Sequence, residues 1–142
     1  MRPRPMDPQK TILLVENDGD IRFAFAAVLT HDGYHVVEAE NGASGVELAQ
    51  RVLPDLVLMD IRMPRMNGLE ATERLRADER TRDIPVVAVT GELANGTAEA
   101  KRAEQLFHSI IRKPVTPSRL TQHVQGIIGC PEESADQAPR ST

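Results

Sequence analysis

Unbroken apolar runs alternate along the chain with stretches whose apolar positions recur every three or four residues. The first run, Thr11–Val15 (TILLV), has no polar face, the pattern of a strand covered on both sides. Behind it Ile21, Ala24, Phe25, Val28 and Leu29 line one face of a predicted helix. Asp18 or Asp20 is placed to cap the start of that helix, and Asp32-Gly33 to end it. His35–Ala39 (HVVEA) reads as a second strand, Asn41-Gly42 as a turn, and Val46, Ala49 and Leu53 as the inner face of a second helix. A wholly apolar third strand covers 56–59 (LVLM), and Asn67-Gly68 leads into a helix with Leu69, Ala71 and Leu75 inward. Residues 86–89 (VVAV) read as a fourth strand, 98–105 as a charged helix of weak amphipathicity, and 109–111 as a short fifth strand. Leu120, Val124, Ile127 and Ile128 make the last helical stripe.

Strand followed by helix, five times over, implies an α/β fold with a doubly wound parallel sheet. Each crossover helix has to bury its stripe against one face of the sheet. Ligands of such sheets sit outside the carboxyl ends of the strands, so those ends carry the chemistry. The first strand runs into Glu16-Asn17-Asp18, the third into Asp60, the fourth into Thr90-Gly91 and the fifth into Lys113-Pro114. Acids, a hydroxyl and a lysine on one rim suggest phosphate chemistry with a hard cation, because oxygen ligands suit the cation while lysine and hydroxyl address phosphate oxygens.

Composition narrows the classes. The 142 residues suit one domain. The net charge of −4 and an aromatic content of 3% argue against a nucleic-acid surface, which needs basic patches and stacking rings. There is no apolar run of about 18 residues, so no membrane span is expected. Cys130 is the single cysteine, which excludes an internal disulfide and points to a reducing, cytoplasmic setting. Residues 1–9 carry three prolines and two arginines without an apolar segment, unlike a secretory signal. They and residues 130–142 read as disordered tails around a folded unit at 10–129. The four histidines show no metal-ligand spacing.

Four blocks in order carry a resemblance: LLVEND at the first strand, PDLVLMDIRMPRMNGLE at 54–70, IPVVAVTG at 84–91 and IRKPV at 111–115. With these, residues 10–129 resemble the receiver domain of two-component response regulators. The resemblance implies a flavodoxin-like (βα)5 fold with strand order 2-1-3-4-5. It implies that Asp60 accepts a phosphoryl group. It implies a Mg2+ site made by Glu16, Asn17, Asp60 and the backbone carbonyl of Arg62. Thr90 matches the hydroxyl that contacts the phosphoryl group and triggers the switch. Lys113 matches the lysine paired with the acceptor, and Pro114 the proline joined to it by a cis bond. Arg62 and Glu92 match the positions flanking the path of the hydrolysing water, and their opposite charges suggest an ion pair across the mouth of the site. The implied phosphoryl donor is a sensor histidine kinase or a histidine phosphotransfer protein. With no output segment after Ile128, the phosphorylated form is expected to act on another protein or within a relay. No nucleic acid or membrane is expected as a partner. The only chemistry implied is the chain's own phosphorylation and dephosphorylation, so it is not expected to be an enzyme in the ordinary sense.

Three positions depart from the family pattern. Asn17 stands where an aspartate is usual, which removes one negative charge from the metal site. Asp18, next along the chain, is a candidate substitute. Ile110 stands where a tyrosine or phenylalanine usually partners the threonine switch, and a β-branched side chain has no ring to swing inward. Leu106 stands where a glycine usually ends the fourth helix, which together with Asn95-Gly96 suggests a short or loose helix there. Asn17 also leaves open a pseudo-receiver, with the same fold but no phosphorylation. A flavin-binding or hydrolytic protein of the same architecture fits less well. The loop ENDGD is acidic where a flavin phosphate needs hydroxyls and glycines, and an aspartyl phosphatase would carry its nucleophile in a D-x-D pair after the first strand, whereas the acceptor here follows the third.

Overall fold

The computed structural model describes residues 9–91 and 96–129. Glu92 and most of both predicted tails lie outside the described residues. Gln9, at the edge of the first tail, is described, and its side-chain amide donates to the Gly33 carbonyl at 2.8 Å.

Ten elements alternate: β1 (Thr11–Val15), α1 (Gly19–His31), β2 (His35–Ala39), α2 (Gly42–Val52), β3 (Leu56–Asp60), α3 (Gly68–Ala77), β4 (Val86–Thr90), α4 (Ala98–Leu106), β5 (Ser109–Arg112) and α5 (Pro117–Ile128). The strands pair in parallel in the order β2-β1-β3-β4-β5. This is the doubly wound, flavodoxin-like arrangement. Alternate residues of β1 serve opposite faces of the sheet. Leu13 and Val15 pack with Val46, Ala49, Leu69, Leu75 and Ala103 beneath α2, α3 and α4. Ile12 and Leu14 pack with Ala26, Leu29, Leu120 and Val124 beneath α1 and α5. Both faces are covered, so the central strands have no polar side, and β3 and β4 are buried throughout.

The helix starts follow from short polar side chains. Asp18 caps α1 by accepting from the Asp20 and Ile21 amides at 2.9 and 3.1 Å. Asn67 and Glu70 close a reciprocal capping box at the start of α3. Asn41-Gly42 is a helix start and not a free turn: Asn41 caps α2 by accepting from the Ser44 amide at 2.8 Å.

Two inward assignments fail. Ala24 faces solvent and Ala26 takes the buried place on α1, because an alanine weighs little in a stripe and the face turns on Leu29. Leu53 is the left-handed residue that stops α2 and is half exposed, so it lies past the buried stripe. Helix α4 has nine residues, the shortest of the five described helices. It does bury a narrow stripe, Ala100, Ala103 and Leu106.

Candidate functional site

The site lies on the carboxyl rim between β1, β3, β4 and β5. Glu16 follows β1, and its backbone amide donates to the Ala39 carbonyl at 3.0 Å. Its own carbonyl accepts from Arg22 Nη1 at 2.7 Å, while Arg22 Nε reaches Glu38 Oε1 at 3.3 Å. The turn after β1 is thus pinned from two sides. Glu16 is 2% exposed and Asp60 5% exposed, so both carboxylates have left bulk water.

Asp60 ends β3. The Arg62 amide donates to its Oδ1 at 3.2 Å. Lys113 Nζ stands 3.2 Å from Glu16 Oε1 and 3.7 Å from Asp60 Oδ2. The ammonium therefore bridges the two acids, but its hydrogen bond goes to Glu16, whereas the family resemblance pairs it with the acceptor. The Lys113 amide donates to the Thr90 carbonyl at 2.9 Å, which joins β5 to the end of β4. Thr90 is fully buried. The Lys113–Pro114 peptide is cis, as the resemblance implies.

Burial raises the Asp60 pKa from 3.8 to about 6, helped by a hydrogen bond with the Glu16 carboxyl and by its charge. The Lys113 charge and the Arg62 amide pull the other way. Two buried carboxylates facing one ammonium leave the site short of positive charge. Their oxygens are hard donors, which suits a hard divalent cation. Among the described residues no group of three or more His, Cys, Asp or Glu side chains is placed to hold a metal. A cation here needs neutral oxygens beside the two acids, and the Asn17 amide and the Arg62 carbonyl are of that kind. Asn17 is exposed on the loop after β1. Asp18, next along the chain, has its Oδ1 committed to the cap of α1.

Helix α3 starts hard against this rim. Gly68 donates to the Ile61 carbonyl at 2.9 Å, and a Cβ there would collide with the Asp60 carbonyl oxygen. Only glycine permits that approach.

The remaining predicted positions fall around this centre. The Arg62 guanidinium meets Glu99 Oε1 at 3.2 Å, in the first turn of α4. Its predicted partner Glu92 lies outside the described residues. Ile110 is half-buried and packs against the core beneath α2, α3 and α4. Leu106 ends α4, and its carbonyl accepts from Arg76 Nε at 3.1 Å and Nη2 at 3.0 Å. Arg76 Nη1 also reaches the Arg82 and Ile84 carbonyls.

Sequence reasoning missed Arg22, Arg76 and Glu99. Each is a charged residue on a helix, indistinguishable by pattern from a solvated one, and each finds its partner through the fold. Glu99 and Arg62 are 37 residues apart.

A parallel sheet wound on both faces, with acids and a lysine gathered on its carboxyl rim, places the molecule among the flavodoxin-like proteins. Residues 12–125 match the response regulator receiver domain, and the chain belongs to that family of two-component signalling proteins. The polar-differentiation response regulator DivK of Brucella anthropi is 32% identical over 120 residues, 84% of this chain and 97% of that protein. The receiver domain of a sensor histidine kinase from Pseudomonas aeruginosa was solved with magnesium coordinated in its active site cleft. It matches with a TM-score of 0.78 and 31% identity, over 86% of this chain and 99% of that one. The chemotaxis protein CheY4 of Vibrio cholerae shares the fold, with a TM-score of 0.79 at 23% identity over 84% of this chain and 99% of that one. No helix among the described residues is long and apolar enough to cross a membrane.

Proposed function

We propose that this receiver accepts a phosphoryl group on Asp60 from a phosphohistidine of a sensor histidine kinase or a histidine phosphotransfer protein, and signals by changing its affinity for a downstream protein. The unit that does this is residues 10–129. The observation that carries the reading is the buried Asp60 carboxylate on the rim, with the Lys113 ammonium 3.7 Å away and Glu16 beside it.

The chemistry follows from charge. A carboxylate attacking a phosphoryl group is anion meeting anion, so positive charge has to be in place first. Glu16, Asp60, the Asn17 side-chain amide and the Arg62 backbone carbonyl are the groups that would hold Mg2+. When bound, the ion offsets the charge of the carboxylates and of the phosphoryl oxygens. An Asp60 oxygen attacks phosphorus, the P–N bond breaks, and its electron pair returns to the donor imidazole. Lys113 moves its hydrogen bond from Glu16 to the phosphoryl oxygens, and the Thr90 hydroxyl takes another. Attack needs the ionised acid, and a pKa of about 6 leaves Asp60 mostly ionised at neutral pH. The product adds about 1.5 to 2 negative charges, enough to bias a loop with two arrangements.

Transfer from a phosphorylated histidine phosphotransfer domain tests the reading. Label is expected to move to this chain with Mg2+ present and to stay on the donor when the metal is chelated. A chain that takes no label at any Mg2+ concentration is a pseudo-receiver, the outcome that the missing acid at Asn17 favours.

A further inference from the structure

The Arg62–Glu99 contact ties the turn carrying the acceptor to a helix that neither Asp60 nor Thr90 belongs to. We propose that this ion pair is a latch holding the start of α4 to the Asp60 turn, and that a phosphoryl group on Asp60 releases it by taking the Arg62 guanidinium from Glu99. The proposal rests on the reading of Asp60 as phosphoacceptor and names the residues that carry its signal to α4.

Arg62 is rooted at the acceptor. Its backbone amide donates to Asp60 Oδ1 at 3.2 Å. A group bonded to the Asp60 carboxylate therefore falls within the sweep of the Arg62 side chain. In the unphosphorylated chain the two Asp60 oxygens are already addressed by the Arg62 amide and by Lys113. The guanidinium turns outward to Glu99 instead.

That outward pair is weakly held. The Arg62 side chain is 56% exposed and Glu99 32%, and exposed pairs of this kind contribute little. A phosphoryl group offers the planar fork a closer match and a larger charge. Glu99 loses little by the exchange, because it sits in the first turn of α4, where the helix dipole favours an acid.

Helix α4 is built to register the loss. Its buried face holds two alanines and one leucine, where that of α3 holds Leu69, Ala71, Thr72 and Leu75, so apolar packing anchors it less than its neighbour. Polar ties make up the difference. Arg102 pairs with Glu73 of α3 at 2.9 Å, and the Arg76 fork holds the Leu106 carbonyl at the far end. At the near end, the Arg62 guanidinium is the tie that a change at Asp60 reaches directly. Ile110 packs on the core and offers no ring to carry the signal from Thr90 by another route.

Hydrogen exchange of the α4 amides, in the free chain and in the chain loaded with beryllofluoride, tests this in wild type, Glu99→Gln, Arg62→Gln and the double variant. In the free state each single variant is expected to exchange α4 about 1.5- to 5-fold faster than wild type, the range an exposed pair supports. The double variant should add nothing further. Loading should speed α4 exchange in wild type and leave Glu99→Gln unchanged. Equal exchange in free wild type and Glu99→Gln, or an equal response of both to loading, overturns the latch. If beryllofluoride does not bind wild type, the reading of Asp60 falls and the release step falls with it. The free-state comparison then still decides whether the pair holds α4.

Discussion

As the proposed phosphoacceptor, Asp60 is under opposed demands, since that role asks it to be buried to exclude water and ionised to react. Burial and the neighbouring Glu16 win over Lys113 and the Arg62 amide, which puts its pKa at about 6 against an ordinary 3.8. The folded chain then keeps a proton that the unfolded chain has released. Stability therefore falls as pH rises from 3.8 to about 6 and stays at the reduced value above that. Asp60→Asn removes this penalty. In metal-free buffer the variant is expected to be more stable than wild type by on the order of 2 kcal/mol near pH 8. The gain should shrink to a fraction of that near pH 4, and urea unfolding at both pH values reads it. A gain that grows toward acid would reverse the sign of the argument. Asn17 poses the complementary case, a neutral, exposed side chain on the loop that follows Glu16. At the proposed Mg2+ site Asn17→Asp adds a negative charge and should tighten Mg2+ binding about tenfold. Equal affinity in the two proteins would show that residue 17 is not a ligand.

At the scale of elements, the helix starts place the chemistry. Asn67 and Glu70 fix the first turn of α3, and Gly68 lets that turn lie on the Asp60 carbonyl. Gly68→Ala pushes a methyl to 2.8 Å from the Ile61 Cα and harder still onto the Asp60 oxygen. We expect a loss of about 1–3 kcal/mol, the usual cost of overpacking, read as a lower urea midpoint. An unchanged midpoint would mean that the α3 start yields freely. These elements were legible as apolar runs and polar caps, because both are local. Faces of helices were less so: Ala24 and Ala26 look alike in sequence, and only the packing of Leu29 decides between them. The shortness of α4 was legible, but its buried stripe and the arginine fork that holds its end were not. Arg76 reaches Leu106 across 30 residues, and no local pattern marks that contact.

For the whole molecule, strand order does what no single motif can. Threading β1 between β2 and β3 brings Glu16 beside Asp60, and placing β5 next to β4 brings Lys113 over both. The gathering of these residues on one rim was therefore readable from alternation alone, and the family blocks added the roles they imply. Their pairing was not readable. Lys113 hydrogen-bonds Glu16 in preference to Asp60, and Arg62 meets Glu99, because side-chain choices depend on rotamers and local charge that sequence order does not encode. The central claim is that Asp60 takes the phosphoryl group. Intact-mass measurement of wild type and Asp60→Asn after incubation with acetyl phosphate and Mg2+ tests it most directly. Wild type is expected to gain one phosphoryl mass, removed by mild alkali as an acyl phosphate should be, while Asp60→Asn gains none. Equal gain in both proteins, or none in wild type, would contradict the claim.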